Sequence, residues 1–338
     1  MGWKVFTIKQ YKGKVMTIQN LIIEVKKLNV YYSNDKKNRQ VLFDVDFNVY
    51  NGEILGLIGE SGAGKTTIAT ALMGMINNPN IAKGEILFHN SNVLKFTPRK
   101  MMDYRWKKIS IIFQAAMDTL DPTITIEKQM IALLLDKKLC KTKEEARRKS
   151  LELMEQLELP SNVAQMYPHQ LSGGMKQRVV IAMAMSSNPE VLIADEPTTS
   201  LDVVTQKLIL DYIQKLVRGG TISSIIYISH DIILVSEIAD RIMVLYKGRV
   251  VEIGPKNKVI NEPLHPYTSV LVNSSKFVVS NIQNKGNLEL SEELISEEMH
   301  SCPFITHCKF AFEKCKTNIP DLVEVKPDRK VACFLYGD

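Results

Sequence analysis

The chain lacks any long apolar run. Its longest uninterrupted stretches, Ile131–Leu135 and Val179–Met185, are the size of core segments, far below the roughly 18 residues of a membrane-spanning helix. Any role at a membrane must therefore act through partners. The opening, MGWKVFTIKQYKGKV, is basic but has no apolar middle and no small-residue cleavage site, so it does not read as a secretory signal. A cytoplasmic protein is expected. Internal repeats and low-complexity tracts are missing, which sets solenoids and arrays aside. Cysteine is scarce through most of the chain: only Cys140 precedes a cluster of Cys302, Cys308, Cys315 and Cys333. Structural disulfides are not expected of a cytoplasmic protein, so the cluster calls for another explanation.

What is present is ordinary in bulk. The 338 residues are 45% hydrophobic and 24% charged, enough for a sizeable core and an extension. The net charge of +6 reads as a mildly basic surface; no nucleic-acid partner is expected. Apolar, strand-like segments (21–32, 41–50, 53–58, 84–89, 191–194, 222–229) alternate with helical patterns at 66–75 and 171–185. This order predicts an α/β fold with a mostly parallel sheet. Helical periodicity runs from about residue 118 to 158, predicting an inserted helical lobe. Residues 242–253 read as a hairpin turning at Lys247-Gly248. A polar, glutamate-rich stretch at 281–299 separates the core from the cysteine tail.

Three motifs carry chemistry. Gly59-Glu60-Ser61-Gly62-Ala63-Gly64-Lys65-Thr66 is a phosphate loop between an apolar strand and a helix. Its glycines let successive backbone N–H groups face one anion, and the helix dipole adds to them. Lys65 is expected to reach the β- and γ-phosphates of a nucleotide and the Thr66 hydroxyl to ligate Mg²⁺. Val191–Ala194 delivers Asp195 and Glu196 to the C-terminal edge of the sheet, where open α/β folds bind ligands. Asp195 suits Mg²⁺; Glu196 suits the polarisation or deprotonation of an attacking water. Leu171-Ser172-Gly173-Gly174-Met175 begins a helix and reads as a second anion site through Ser172 and the glycine N–H groups.

The last motif resembles the signature sequence of ATP-binding-cassette (ABC) ATPases, and further elements follow in that family's order. Gln114 in IIFQAAMDTLDP is similar to the Q-loop glutamine, Ser200-Leu201-Asp202 to the D-loop, and His230 to the switch histidine that contacts the γ-phosphate. Tyr32 resembles the aromatic residue that stacks on adenine; its spacing from Leu28 favours it over Tyr31. The resemblance covers about residues 21–270. GESGAGKT, FQAAMDTLDP and Leu264-His265-Pro266-Tyr267-Thr268 are similar to the dipeptide/oligopeptide importer group.

That resemblance implies a phosphate-loop, RecA-like ABC ATPase core. It would carry an antiparallel β subdomain, an inserted helical subdomain at about 115–185 and a small cysteine-rich C-terminal extension. The expected divisions are an N-terminal extension at 1–20, the ATPase domain at 21–258 and the extension at 259–338. ATP is expected to contact Tyr32, Gly59, Ser61, Gly62, Ala63, Gly64, Lys65, Thr66 and Thr67, with Ser172, Gly173 and Gly174 closing over it from a second subunit. Glu196, His230, Lys65 and Gln114 are the expected catalytic set, and Thr66, Gln114 and Asp195 the Mg²⁺ set. Implied partners are two transmembrane permease subunits, a second ABC ATPase (identical or homologous) and, indirectly, an extracytoplasmic solute-binding protein. The implied location is the cytoplasmic face of the membrane.

The cysteine tail also resembles that group. Four thiolates can hold a [4Fe–4S] cluster or a zinc ion, or remain unligated. Zinc sites usually place two to four residues within each cysteine pair; this tail has no such pair. With the Cys302-Pro303-Phe304 opening, the resemblance leans towards iron–sulfur.

Overall fold

Strands Ile54–Ile58, Val191–Asp195 and Ser224–Ser229 are buried at every position, as expected where helices cover both faces of a parallel sheet. They form the centre of a computed structural model that describes residues 10–11, 14–15, 21–34, 37–76, 80–199, 201–280 and 300–337. The glutamate-rich stretch at 281–299, Ser200 of the D-loop and most of residues 1–20 lie outside the described residues.

The main sheet has eight strands in the order Val323–Lys326, Arg329–Val331, Arg249–Pro255, Arg241–Tyr246, Ile54–Ile58, Ser224–Ser229, Val191–Asp195 and Ile109–Ile112. The five from Arg241–Tyr246 onwards run parallel. Their register aligns the functional ends: Ile228 pairs with both Leu57 and Asp195. Gly59, Glu196 and His230 therefore leave the sheet at one edge.

A second sheet of four antiparallel strands places Leu21–Asn34 between Lys37–Tyr50 and Ile81–Phe88, with short Ser91–Asn92 at one side. Its inward apolar residues, among them Leu28, Val30 and Leu42, join Leu55, Leu57 and the helix Lys65–Leu72 in one core cluster. The antiparallel sheet is thereby fixed against the phosphate-loop helix.

The helical periodicity of 118–158 resolves into two helices, Ile126–Asp136 and Lys143–Gln156, the second capped by the Thr142 hydroxyl, which accepts from the Glu145 N–H. Cys140, within the helical period expected from about 118 to 158, instead follows the first helix and is buried at 6% exposure with Ile131, Leu134 and Ala146. The turn between the helices folds it inward. The signature helix Gly173–Met185 packs into the main core.

The tail is sewn into the main sheet. Arg329–Val331 pairs antiparallel with Arg249–Pro255, and Val323–Lys326 adds to it. Arg329 and Glu252 form an ion pair at 2.8 Å with side chains 1% and 0% exposed. Glu252 also accepts the backbone N–H of Leu264 and of His265, which anchors the Leu264–Thr268 motif.

Candidate functional site

The phosphate loop curls between strand Ile54–Ile58 and helix Lys65–Leu72, as its glycines require. Gly62 and Gly64 have φ of 75° and 103°, a region glycine enters without steric cost. At Gly59 a Cβ would lie 2.3 Å from the Leu245 carbonyl oxygen, so only glycine seats the loop on that strand. Lys65 is buried, and its Nζ donates to the Gly59 and Glu60 carbonyls at 2.7 and 2.8 Å. Burial lowers its pKa, opposed by Glu196, Asp195 and Glu60. The ammonium is thus held inside the loop's own curl.

Asp195 and Glu196 arrive from the neighbouring strand with unlike surroundings. Asp195 accepts the Thr66 hydroxyl at 2.7 Å, placing the two expected Mg²⁺ ligands side by side. Burial raises its pKa. Glu196 has φ 48°, an uncommon conformation for a non-glycine residue that is often kept at functional sites. Its N–H donates to the Ile228 carbonyl at 2.9 Å. Its carboxylate gathers His230 Nδ1 at 3.0 Å, the Thr199 hydroxyl at 3.0 Å and Gln114 Nε2 at 3.4 Å. Burial alone would raise its pKa, but hydrogen bonds from His230 and Thr199 and the charges of His230 and Lys65 outweigh it and hold the carboxyl below its ordinary range. Lys65, Thr66, Gln114, Asp195, Glu196 and His230 therefore share one sheet edge.

Tyr32 lies at the same end, its hydroxyl 3.4 Å from Thr67 Oγ1 on the phosphate-loop helix. Tyr31 points elsewhere, beneath Lys83. Ser172 caps the signature helix by accepting the Met175 N–H at 3.2 Å. A Cβ at Gly173 would meet Leu201 at 3.1 Å and one at Gly174 would meet Thr205 at 2.4 Å. Among the described residues no hydrogen bond joins Ser172, Gly173 or Gly174 to the phosphate loop.

Cys302, Cys308, Cys315 and Cys333 line one small apolar hollow with Phe304, Phe312 and Phe334. The Cys302 N–H donates to the Cys315 carbonyl. Burial, with the other three thiols nearby, pushes Cys302 up to about 11. Among the described residues, however, no three His, Cys, Asp or Glu side chains are gathered tightly enough to hold a metal ion. The donor set suits a thiolate-held group, but the thiols are not arranged around one.

Sequence reasoning missed three residues at this site. Thr199 holds Glu196 but lies in a Thr-Thr pair with no periodic signal. Glu60 and Tyr267 meet beneath the loop, the Tyr267 hydroxyl accepting the Glu60 N–H at 3.3 Å. Tyr267 stood in a motif noted only for its resemblance.

Comparison with known proteins agrees with this geometry. Residues 42–199 match the ABC transporter family, and residues 251–315 match the C-terminal region of oligopeptide/dipeptide transporters. The oligopeptide transport ATP-binding protein AppD of Bacillus subtilis is 38% identical over 321 residues, spanning 94% of this chain and 97% of that protein. OppD of Salmonella typhimurium, an oligopeptide transport ATP-binding protein, is 35% identical over 317 residues, spanning 93% and 94%. Among solved structures, the ATP-binding cassette MJ0796, in a dimeric post-hydrolysis state with ADP and Pi, superposes with a TM-score of 0.61 at 28% identity, covering 70% of this chain and 99% of that one. The sheet edge that collects a phosphate loop, two acids, a glutamine and a histidine, joined to a tail of the peptide-transporter type, places this chain in the ABC transporter family, among the ATP-binding subunits of oligopeptide and dipeptide transporters.

Proposed function

We propose that this chain hydrolyses ATP to drive a membrane importer of dipeptides or oligopeptides. The observation that carries the reading is the convergence of Lys65, the Thr66 and Asp195 pair, and the Glu196, His230 and Gln114 cluster at one sheet edge. Peptide cargo is supported by the relatives, named as oligopeptide transport proteins; the importing direction rests on the resemblance of the motifs to the peptide-importer group.

In this reading Lys65 leaves the loop carbonyls for the β- and γ-phosphates, and the loop N–H groups cradle them. Tyr32 stacks on adenine. Thr66, Asp195 and Gln114 would hold Mg²⁺, which when bound would offset phosphate charge. Glu196 orients the attacking water and draws off its proton, while His230 faces the γ-phosphate. Ser172, Gly173 and Gly174 serve the nucleotide of a second ATPase subunit, as the family resemblance implies. Closure of the pair excludes water and aligns the reacting groups; release of the γ-phosphate reopens it. The helical lobe, tied in through Gln114, transmits the movement to two permease subunits fed by a solute-binding protein. No described helix is long and apolar enough to cross a membrane; in this reading the chain is peripheral, held at the cytoplasmic face by the permease subunits.

The four tail cysteines would hold a [4Fe–4S] cluster. The reading is supported by four thiols lining one hollow and by the absence of a closely spaced cysteine pair for zinc. The hollow must widen to admit the cluster. Anaerobically purified protein should be brown and carry about four irons per chain; iron near zero with zinc near one refutes this.

The transport reading is tested with wild type and Lys65→Ala, each reconstituted with candidate peptide permeases and the partner ATPase. Permease-dependent ATP turnover lost in Lys65→Ala is expected. Tight ATP binding by wild type without turnover in any assembly would instead make the chain a regulatory nucleotide-binding module.

A further inference from the structure

The Leu264–Thr268 motif is far from the phosphate loop in sequence, yet it supplies the loop with a partner. Tyr267 is fully buried. Its ring lies 4.5 Å from that of Tyr246 and 5.5 Å from that of Phe304, centroid to centroid. Phe304 in turn contacts the rings of Tyr246, His265 and His307. The backbone of Tyr267 is fixed as well: its N–H donates to His265 Nδ1 at 3.0 Å, and the His265 N–H is held by Glu252. A tyrosine so enclosed has one position for its hydroxyl. That position is 3.3 Å from the Glu60 N–H, within the phosphate loop.

Glu60 is bracketed. Tyr267 holds its N–H, while its carbonyl accepts the Lys65 ammonium at 2.8 Å and the Ala63 N–H at 3.2 Å. Its carboxyl is partly buried, with Oε1 unpartnered among the described residues. The strand beneath, Arg241–Tyr246, closes the bracket: Gly59 rests against the Leu245 carbonyl, and the ring of the next residue, Tyr246, packs at a tilt against that of Tyr267.

We propose that Tyr267 is a positioning residue of the nucleotide site, whose hydroxyl holds the phosphate loop in its binding conformation from below. Lys65 donates to the Glu60 carbonyl and, in this reading, moves to the phosphates when ATP binds. The Ala63 N–H and the Tyr267 hydroxyl then hold the loop's second residue, and of the two only Tyr267 is anchored outside the loop. Loss of the hydroxyl therefore costs the nucleotide-bound loop more than the loop with Lys65 on the Glu60 carbonyl. About one neutral hydrogen bond is at stake, so ATP binding should weaken about fivefold.

The inference rests on residues 59–66 being the phosphate loop, and the experiment separates the two claims. Full-length wild type, Tyr267→Phe and Lys65→Ala are titrated with ATP by calorimetry, with thermal melting and amide hydrogen exchange alongside. The Tyr267→Phe ring still fills its site, so its melting temperature should stay within about 2 °C of wild type. Its ATP affinity should fall about fivefold, and exchange should quicken only in peptides covering residues 58–66. Unchanged affinity and loop exchange in Tyr267→Phe, with binding abolished in Lys65→Ala, would overturn the proposal. So would weaker binding accompanied by a lowered melting temperature and faster exchange throughout, which marks a role in folding alone. Wild-type binding by Lys65→Ala would instead refute the phosphate loop itself.

Discussion

Replacing Glu196 by Gln isolates what its charge does. The amide keeps the length and shape of the side chain, so it can still contact His230, Thr199 and Gln114, now 3.0, 3.0 and 3.4 Å from the carboxylate. The left-handed backbone at this residue and its hydrogen bond to Ile228 do not depend on the charge. What is lost is the proton acceptor and the negative field on the water. General base catalysis contributes about 10²–10⁴-fold, equivalent to about 3–5 kcal/mol in the barrier. ATP binding rests on the loop N–H groups and Lys65, so it should survive, and removing a negative charge near the phosphates should not weaken it. The assay is phosphate release by the assembled transporter, paired with retention of labelled ATP. Turnover reduced by two to four orders of magnitude with ATP retained is expected. Turnover within tenfold of wild type would show that Glu196 does not act on the water. Loss of ATP binding together with turnover would show that it holds the nucleotide instead.

Arg329→Met should destabilise the chain by about 3–5 kcal/mol, because it leaves Glu252 charged and buried; pairing it with Glu252→Gln should restore much of the loss. Urea midpoints measure both, and a single-variant loss below about 1 kcal/mol would mean that the ion pair is energetically neutral. His265 provides a pH test. Burial lowers its pKa from 6.5 to about 4, so between those values the unfolded chain binds the extra proton and folding stability falls with falling pH. The loss from pH 7.5 to pH 5 is about 2 kcal/mol, and His265→Gln should flatten the urea-midpoint profile across that window; an unaltered slope refutes the assignment.

The parts of the site that local physics specifies were legible in the sequence. A loop that must wrap an anion needs glycines at fixed offsets, and a buried parallel strand that ends in acids is readable from composition alone. The mostly parallel character of the main sheet followed from alternation of strand and helix. What escaped depends on contacts between distant residues. Nothing near Arg329 indicates that its strand joins Arg249–Pro255, and nothing near Tyr267 points to Glu60. Cys140 was misplaced because a helical period continued by pattern across 137–142, where the chain turns and tucks the thiol inward. The thiol cluster was legible as a set of residues, whereas its arrangement was not.

Strand Arg249–Pro255 gains its outer neighbour only when residues 329–331 have left the ribosome. Until then its unpaired backbone groups on that side offer a template to any other extended chain. A nascent or truncated chain ending before Arg329 would therefore be complete in its ATP-binding parts and yet prone to aggregate. Residues 323–331 in this sense move the sheet's edge outward, from a strand that carries the site's supports to one that does not.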